Sequence, residues 1–456
     1  MNTAKFRELS AWLGDRLVSD AACLADHGRD PSHHAAAPPD AVAYPENAEE
    51  ISRILRWCGD AGVPVIPYGA GTSVEGGSLA PTGGLAVDLS RMNRIKEVHV
   101  DDQDAVVEAG VTRLQLAERL AGSGLFFSVD PGADATLGGM ASTGASGTNT
   151  VRYGTIRENV LALEVVLADG RTIRTGSRAR KSSAGYDLTH LFIGAEGTLG
   201  IVTELTVRLH PVPAASSVAV GAFESIAAAV RTVIEVVQQG IPVARAELLD
   251  GPAIDAVNRY SALDHATSPT VFFEFHGSNA AVEEQAQQVQ AIARANGGAD
   301  FRWSSDPAER ARLWQARHDA YYAVRALRPD AQALGTDVCV PISRLADCID
   351  ETLADLERSS IIAPLVGHVG DGNFHCLVLV DRENPAERDN VDAFHRRLIQ
   401  RALACGGTST GEHGVGLGKR EFLREEHGEA VDLMRELKRT LDPRGILNPG
   451  KLFLDG

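Results

Sequence analysis

Residues 367–375 read GHVGDGNFH, and the runs that overlap its two ends, IIAPLVG and FHCLVLV, are rich in strand-forming residues. Asp371-Gly372 between them predicts a hairpin with a two-residue type I′ turn, which needs φ > 0 at both central residues. With that turn, His368 lies directly opposite His375, and opposed residues share one face of the hairpin. Two imidazoles placed in this way can bind one metal ion. The alternative is that they are hydrogen-bonded partners in a tight hairpin.

The length and charge of the chain limit the classes of protein to which it can belong. Its 456 residues exceed what one hydrophobic core supports, so we expect two or three domains. The 44 basic and 61 acidic residues give a net charge of −17, which argues against nucleic acid or an anionic membrane as a partner. An acidic surface would suit a basic protein partner, but we favour the simpler interpretation of a solvated surface.

Six dispersed cysteines with no C-x-x-C pair predict reduced thiols and exclude a self-contained iron–sulfur cluster of the usual type. No run of 18 apolar residues is present, so we expect no transmembrane segment. The N-terminus, MNTAKFRELSAWLGDRL, reads as an amphipathic helix and not as a signal peptide. We therefore expect a cytoplasmic protein, with peripheral association with a membrane as the alternative.

Two long loops rich in Gly, Ser and Thr form the second informative feature. The first follows a predicted strand and begins with Gly69, Ala70, Gly71, Thr72 and Ser73; the second, residues 130–149, reads DPGADATLGGMASTGASGTN. Backbone without Cβ atoms approaches a phosphate closely, and successive N–H groups form an anion-binding nest. Neither loop contains the Gly-Lys-Ser/Thr of a P-loop or a Gly-x-Gly-x-x-Gly run. The alternative is a pair of flexible linkers.

Beyond Pro211 and Pro213 the pattern changes to long helices that alternate with single strands, which predicts a domain boundary near residue 210. Helices placed beside an antiparallel sheet predict an α+β second domain. We expect helices near residues 223–239, 279–296, 306–328, 343–359 and 386–405, and strands near residues 243–249, 270–276, 335–341, 362–369 and 374–381.

Seven motifs in order carry a family resemblance: PVIPYGAGTSVEGG, DPGADATLGGM, RYGTIRENV, GAEGTLGIVTE, HVGDGNFH, GEHGVG and NPGK. The chain from about residue 40 onward resembles the FAD-linked D-2-hydroxy-acid dehydrogenases of the vanillyl-alcohol-oxidase (PCMH-type) flavoprotein superfamily. Within it, the chain is most similar to the cytochrome-type D-lactate dehydrogenases and the glycolate oxidase flavin subunit. The resemblance implies a FAD-binding domain in residues 1–210, a substrate (cap) domain with the metal site in residues 211–411, and a C-terminal segment, 412–456, that returns to the FAD-binding domain.

The resemblance also implies which residues contact FAD. The first loop, with Gly69, Gly71, Thr72 and Ser73, would hold the pyrophosphate. Thr72 stands where some superfamily members attach the flavin to a His, so we expect FAD to be bound non-covalently. The rest of the cofactor would contact Pro131, Gly132, Gly138, Gly139, Ser142, Gly147, Gly197, Gly200 and Ile201.

For the reaction, the resemblance makes His368, His375 and Glu412 the ligands of a divalent metal, which by ligand type is Zn²⁺, Mn²⁺ or Fe²⁺. His413 would be the general base that takes the hydroxyl proton as hydride leaves C2 for flavin N5. Arg317 would bind the substrate carboxylate, and Asn373 would orient a histidine ligand or the substrate.

The resemblance also bears on the size of the substrate, through the residues at two positions. Relatives that handle dicarboxylates have a polar residue where this chain has Leu377, and a Lys near the strand that here reads Gly335-Thr336-Asp337-Val338. A second carboxylate without a partner would be costly to bury, so we expect a short or apolar 2-hydroxy monocarboxylate. The D configuration rests on the resemblance alone.

The chain has no haem motif and no Cys cluster, so the electrons would pass to an external acceptor: a cytochrome, a quinone pathway, an electron-transfer flavoprotein, a partner iron–sulfur subunit or O₂. The alternatives within the enzyme class are a glycolate-oxidase-like flavin subunit, D-2-hydroxyglutarate dehydrogenase and an oxidase that releases hydrogen peroxide. From other classes they are a flavin-binding subunit without turnover and a metallohydrolase, which would leave both Gly-rich loops unexplained.

Overall fold

The computed structural model describes residues 5–454, which divide into two compact units. The first holds the described chain up to Gly147, Gly154–Val212 and the chain from Glu412 onward; the second holds Thr148–Tyr153 and Pro213–Gly411. The main boundaries between the units therefore fall at 212/213 and 411/412. The short segment Thr148–Tyr153 was not expected in the second unit. It belongs there because Arg152 donates to the carbonyl of Pro242 and the Tyr153 hydroxyl bonds His276.

Within the described residues, the strands in chain order are β1 (Leu17–Val18), β2 (Ala41–Ala43), β3 (Val65–Tyr68), β4 (Leu85–Asp88), β5 (Ile95–His99), β6 (Asp104–Glu108), β7 (Leu125–Phe126), β8 (Val160–Val166), β9 (Thr172–Arg174), β10 (Ile201–Arg208), β11 (His210–Pro211), β12 (Ala215–Phe223), β13 (Val243–Leu249), β14 (Thr270–Gly277), β15 (Gly298–Ser304), β16 (Gln332–Gly335), β17 (Val338–Cys339), β18 (Leu365–His368) and β19 (Asn373–Val380).

The α-helices are α1 (Arg7–Leu13), α2 (Ala21–His27), α3 (Ala48–Ala61), α4 (Arg113–Leu120), α5 (Leu137–Thr143), α6 (Thr150–Tyr153), α7 (Ile156–Asn159), α8 (Leu188–Phe192), α9 (Ile226–Gln238), α10 (Gly251–Ser261), α11 (Asn279–Ala295), α12 (Pro307–Ala326), α13 (Leu345–Ser359), α14 (Pro385–Ala404), α15 (Leu423–His427) and α16 (Ala430–Leu441). Short 3₁₀ turns cover Gly14–Arg16, Leu89–Arg91 and Ile342–Arg344. None of the helices in the described chain combines the length and the apolar character that crossing a membrane requires.

The first unit contains a four-stranded sheet, β1-β2-β4-β3, in which β2 and β3 run parallel to β4, and a five-stranded antiparallel sheet, β5-β6-β10-β8-β9. Helix α3 is an example of how the sequence specifies an element of this unit. Asn47 caps it through the amide of Glu50, and Ile51, Ile54 and Leu55 recur at helical spacing and are buried. The apolar faces of these elements form one core, and the loop after β3 emerges from it.

The second unit is built on an antiparallel sheet with the order β15-β12-β14-β13-β18-β19-β16, and β17 also pairs with β19. Its central strand β14, TVFFEFHG, is buried along almost its whole length, which explains its nearly continuous apolar sequence. Helices α10 and α12 pack on the same core as Phe272 and Val366. The expected α+β architecture with an antiparallel sheet is confirmed.

The predicted register of the hairpin at residues 367–375 is wrong. His368 lies opposite Asn373, and Val366 lies opposite His375, so the loop has four residues, Val369–Gly372. Only Gly372 has a positive φ, of 80°, and the amide of Asp371 bonds the carbonyl of His368, which excludes the two-residue type I′ turn. Because the register differs from the prediction by an even number of residues, His368 and His375 still share a face.

Two further kinds of difference concern the second unit: one predicted strand is divided, and three elements were not predicted. The strand expected near residues 335–341 is divided into β16 and β17, because Gly335 pairs with Leu377 and Val338 with Phe374 without continuous pairing between them. Helix α10 and strands β12 and β15 were not predicted. The helices expected near residues 223–239, 279–296, 306–328, 343–359 and 386–405 correspond to α9, α11, α12, α13 and α14.

Candidate active site

The two histidines of the hairpin are held by hydrogen bonds at the same ring nitrogen. The Nδ1 atom of His368 lies 2.7 Å from Glu247 Oε1, and that of His375 lies 2.8 Å from the carbonyl oxygen of Thr336. A carbonyl or a carboxylate can only accept, so each Nδ1 donates the proton of its hydrogen bond, and Nε2 is the ring nitrogen that can ligate a metal. The rings are buried, with centroids 5.3 Å apart. Both histidines are therefore oriented as Nε2 ligands.

Glu412 directly follows Gly411, the last residue of the second unit. His368, His375 and Glu412 each offer one ligand atom, and these atoms lie within 4.8 Å of one another. Glu412 Oε2 accepts a hydrogen bond of 2.9 Å from Ser146 Oγ, which restricts its carboxylate. Two imidazoles and a carboxylate are a donor set that suits Zn²⁺, Mn²⁺ or Fe²⁺, so the residues present fit a divalent metal.

Arg317 lies on α12 and is anchored by the same glutamate that holds His368. Its Nε donates to Glu247 Oε2 at 2.8 Å, and the side chain of Glu247 is 1% exposed. Burial by itself would raise the pKa of Glu247, but the neighbouring His368 and Arg317 outweigh it and leave that pKa lowered. The Nη1–Nη2 edge of Arg317 makes no hydrogen bond to the described residues. This edge can donate two parallel hydrogen bonds to a carboxylate.

Asn373, opposite His368, is fixed by two bonds from its Nδ2 atom, to Asp337 Oδ1 and to the carbonyl of Val338, each of 2.8 Å. Its Oδ1 atom is buried and has no hydrogen-bond partner among the described residues. An unsatisfied buried acceptor is costly, so this oxygen is suited to a hydroxyl or a water that donates to it.

His413 is half-buried, and the backbone that follows it is held by a buried glutamate. The amides of Val415 and Gly416 donate to Glu196 Oε1 and Oε2 at 2.6 and 2.8 Å. Burial raises the pKa of Glu196 in spite of these two donors. The contacts restrict the turn that presents His413 and Glu412.

The two Gly-rich loops of the first unit meet. An ideal Cβ on Gly69 would collide with Thr136 Oγ1, the N-cap of α5, and one on Gly71 (φ = 67°) would collide with the Tyr68 hydroxyl. The turn with Gly197 joins them, because the amide of Glu196 bonds the carbonyl of Ser142 at 2.8 Å. Backbone at these positions has no room for side chains and forms a cradle, which fits a dinucleotide.

The remaining residues that were predicted to contact FAD differ in their surroundings. Gly138, Gly139 and Ser142 lie in α5 beside the first loop, and Gly147 packs on the backbone of Asp130. Ile201 begins β10 with its side chain in the core, and Gly200 packs against Val165 and Phe192, so only backbone atoms there can face a ligand. A Cβ on Gly132 would meet no atom within 4 Å.

Comparison with known proteins decides the family. A model described as "FAD linked oxidases, C-terminal domain" matches residues 212–452, and one described as "FAD binding domain" matches residues 39–176. The chain is 52% identical over 445 residues to a probable mitochondrial D-lactate dehydrogenase of Danio rerio, covering 96% of this chain and 90% of that protein. It is 44% identical over 449 residues to a mitochondrial D-lactate dehydrogenase (cytochrome) of Arabidopsis thaliana, covering 98% and 79%.

The chain belongs to the FAD-linked oxidase family. It is a FAD-dependent oxidoreductase, and the resemblance found in the sequence is confirmed. The fold of this FAD-linked oxidase matches the solved structure of p-cresol methylhydroxylase with substrate bound, with a TM-score of 0.80 and 19% identity over 99% of this chain and 97% of that one. The predicted PCMH-type fold is therefore confirmed as well.

Sequence reasoning missed three residues that shape this site. Glu247 holds both His368 and Arg317, Thr136 joins the two loops, and Glu196 holds the turn after His413. A carboxylate inside the apolar strand VARAELL was the available indication for Glu247, and a Thr directly before LGGM was the indication for Thr136 as an N-cap. Glu196 gave no such indication, because its glycine-rich surroundings read as a loop.

Proposed function

We propose that this FAD-linked oxidase oxidises a D-2-hydroxy monocarboxylic acid of the D-lactate type to the 2-oxo acid. The observation that carries the proposal is the group of His368, His375 and Glu412, in which both histidines are fixed as Nε2 ligands. The names of the relatives supply the choice of D-lactate and its configuration.

Three side chains divide the work on the substrate. When bound, FAD supplies the acceptor for the hydride that leaves C2, and a divalent metal supplies a Lewis acid for the hydroxyl. His413 takes the proton from the C2 hydroxyl oxygen, since an imidazole titrates near neutral pH. Arg317 binds the carboxylate through its Nη1–Nη2 edge. Asn373 Oδ1 accepts a hydrogen bond from the substrate or from a water beside it.

An apolar wall supports a monocarboxylate. Leu377 lies two residues after His375 on the same face of β19 and is 7% exposed, packed in the cluster that contains Val366 and Trp314. A second carboxylate placed against these side chains would lose its hydration without gaining a partner.

The Gly-rich cradle of Gly69, Ala70, Gly71, Thr72 and Ser73 binds FAD without a covalent bond in this proposal. The threonine hydroxyl at position 72 is a poor substitute for the imidazole that some superfamily members use for attachment. The electrons leave for an external acceptor, and the cytochrome in the name of the Arabidopsis relative favours a cytochrome among the candidates. Localisation in the cytoplasm, or peripherally at a membrane, stays a prediction.

Two alternatives use the same residues. A glycolate-oxidase-like flavin subunit or a D-2-hydroxyglutarate dehydrogenase would share the metal ligands and differ in substrate preference. A flavin-binding subunit without turnover would need neither a base at His413 nor an arginine oriented like Arg317, and the anchoring of Arg317 by Glu247 argues against it.

Removal of the metal tests the proposal. After treatment with a chelator, we expect the protein to keep its FAD and to lose at least about tenfold in kcat for D-lactate, because no metal is left to polarise the hydroxyl. Added Mn²⁺ or Zn²⁺ should restore turnover, and acid precipitation should release the flavin into solution. A protein shown by elemental analysis to be metal-free, yet fully active, would contradict the metal site.

A further inference from the structure

Glu247 divides its two carboxylate oxygens between two residues with different proposed tasks. Oε1 lies 2.7 Å from Nδ1 of His368, a proposed metal ligand, and Oε2 lies 2.8 Å from Nε of Arg317, the proposed carboxylate binder. Strand pairing places Glu247 directly opposite His368, so the contact is built into the register of β13 and β18. Its side chain is 1% exposed, so water does not compete for either oxygen.

The bond to His368 affects metal binding in two ways. It fixes the tautomer with the proton on Nδ1, and a carboxylate at that proton makes Nε2 a more basic ligand. Because β13 is a central strand of the sheet, the carboxylate is held on a rigid element, and the ring plane of His368 is held with it.

The bond to Arg317 affects substrate binding. A guanidinium can present two edges with paired N–H groups, and the bond at Nε occupies one of them. The Nη1–Nη2 edge is therefore the one that a substrate carboxylate meets. The negative charge of Glu247 also balances Arg317 while no substrate is bound, which lowers the cost of burying both groups.

We propose that Glu247 is a positioning residue that couples the metal ligand His368 to the substrate-binding Arg317. One carboxylate sets the orientation of both groups, so metal affinity and substrate affinity depend on the same side chain. The inference rests on the proposed function, because it takes His368 as a ligand and Arg317 as the carboxylate binder.

The neighbouring strand offers a matched control. Glu274 on β14 is also buried between a histidine and an arginine: its Oε1 lies 2.8 Å from His276 Nε2, and its Oε2 lies 3.4 Å from Arg245 Nη1. His276 uses its other nitrogen on the Tyr153 hydroxyl, at 2.8 Å. Glu274 therefore has the same kind of contacts and burial in the same sheet, but its histidine is not in the metal-ligand group.

The test compares Glu247→Gln with Glu274→Gln in chelator-treated protein that retains FAD. Titration with Mn²⁺, followed by electron paramagnetic resonance, measures the metal dissociation constant without turnover. We expect E247Q to weaken metal binding by about 10- to 100-fold. E274Q should keep the wild-type dissociation constant for Mn²⁺, although both variants lose thermal stability.

Steady-state kinetics at saturating Mn²⁺ test the second contact. We expect E247Q to raise KM for D-lactate more than it lowers kcat, because Arg317 loses its orientation. The same substitution should raise KM less in an Arg317→Lys background, since the two residues act as one unit. If E247Q does not fold, Glu247→Asp takes its place, because the shorter side chain cannot reach both partners and should weaken metal binding as well.

The role of Glu247 would be overturned if folded E247Q or E247D bound Mn²⁺ with the wild-type dissociation constant. It would also be overturned if E274Q weakened Mn²⁺ binding as much as E247Q does. Either result would leave the proposed function standing. Wild-type protein that binds no Mn²⁺ at all would overturn both. The two failures are thus distinguishable in one set of titrations.

Discussion

Asp250 caps α10 by accepting from the amide of Ala253 at 2.8 Å, and its side chain is buried beside the strands that carry the candidate metal ligands. Burial raises the pKa of Asp250 to about 7. The unfolded chain releases this proton near pH 4, whereas the folded chain keeps it until about pH 7. Between these values the folded state binds more protons, so stability falls as pH rises through this window.

The variant Asp250→Asn should remove this pH dependence, because asparagine caps a helix as well as aspartate does and does not ionise. We expect its free energy of unfolding relative to wild type to increase by on the order of 2 kcal/mol between pH 5 and pH 8. Denaturant titrations at several pH values measure this difference. Asp255→Asn, on the same helix and paired with Arg259 at the surface, is the control. Parallel pH profiles for wild type and D250N would refute the shift.

Single residues also mark the limit of what the sequence reveals about the site. His368 and His375 were predicted because two histidines flank a turn, and Glu412, His413 and Arg317 were predicted from the family resemblance. The role of Glu247 was not recognisable, because it depends on which residue pairs with His368 across two strands that are 121 residues apart in the chain. A register between distant strands is set by packing and is not written in either strand alone.

Asp169-Gly170, between β8 and β9, also predicts a two-residue hairpin turn, and the structure differs from that prediction as it does at Asp371-Gly372. Gly170 and Gly372 have φ of 81° and 80°, whereas neither Asp169 nor Asp371 has a positive φ. Each turn is therefore longer than the two-residue loop that the dipeptide favours. In the hairpin of β18 and β19 the additional residues bring the backbone of Gly372 against the carbonyl of Val340, a contact that the dipeptide alone does not predict.

The variant Gly372→Ala should disrupt this loop, because an added Cβ would collide with the carbonyl oxygen of Val340 at a positive φ. We expect a loss of roughly 3 kcal/mol or more in the free energy of unfolding, together with weaker metal binding. Gly240→Ala is the control: its φ is 70° and nothing lies within 4 Å of the added atom. The free energy of unfolding of Gly240→Ala should fall by only on the order of 1 kcal/mol. Equal losses in both variants would show that the contact with Val340 is unimportant.

Elements with strong periodicity were predictable, and weakly patterned ones were not. Strand β13 has the predicted bounds, and α12 lies within the predicted range. Helix α10, GPAIDAVNRYS, begins with Gly and Pro and contains Asn, so its composition resembles a loop, although Asp250 and the packing of Ile254 and Val257 fold it as a helix. Strand β15 is an edge strand with few buried residues, and it lacks the alternation that identifies a strand.

At the scale of the whole molecule, the resemblance was more informative than composition. Seven motifs spread from residue 64 to residue 451 predicted the PCMH-type fold and FAD dependence, which the comparisons confirm. Composition indicated only an acidic chain with several domains. The assignment of Thr148–Tyr153 to the second unit was not predictable, because it depends on contacts of a six-residue segment with β13 and β14 and not on a change in sequence pattern.

The most direct test of the central claim is the anaerobic absorbance of the flavoprotein during titration with D-lactate. We predict that D-lactate bleaches the flavin band near about 450 nm in a stoichiometric manner. L-lactate should leave the band unchanged, and glycolate and D-2-hydroxyglutarate should bleach it more slowly. A flavin that D-lactate does not reduce, or that L-lactate or D-2-hydroxyglutarate reduces faster, would contradict the account.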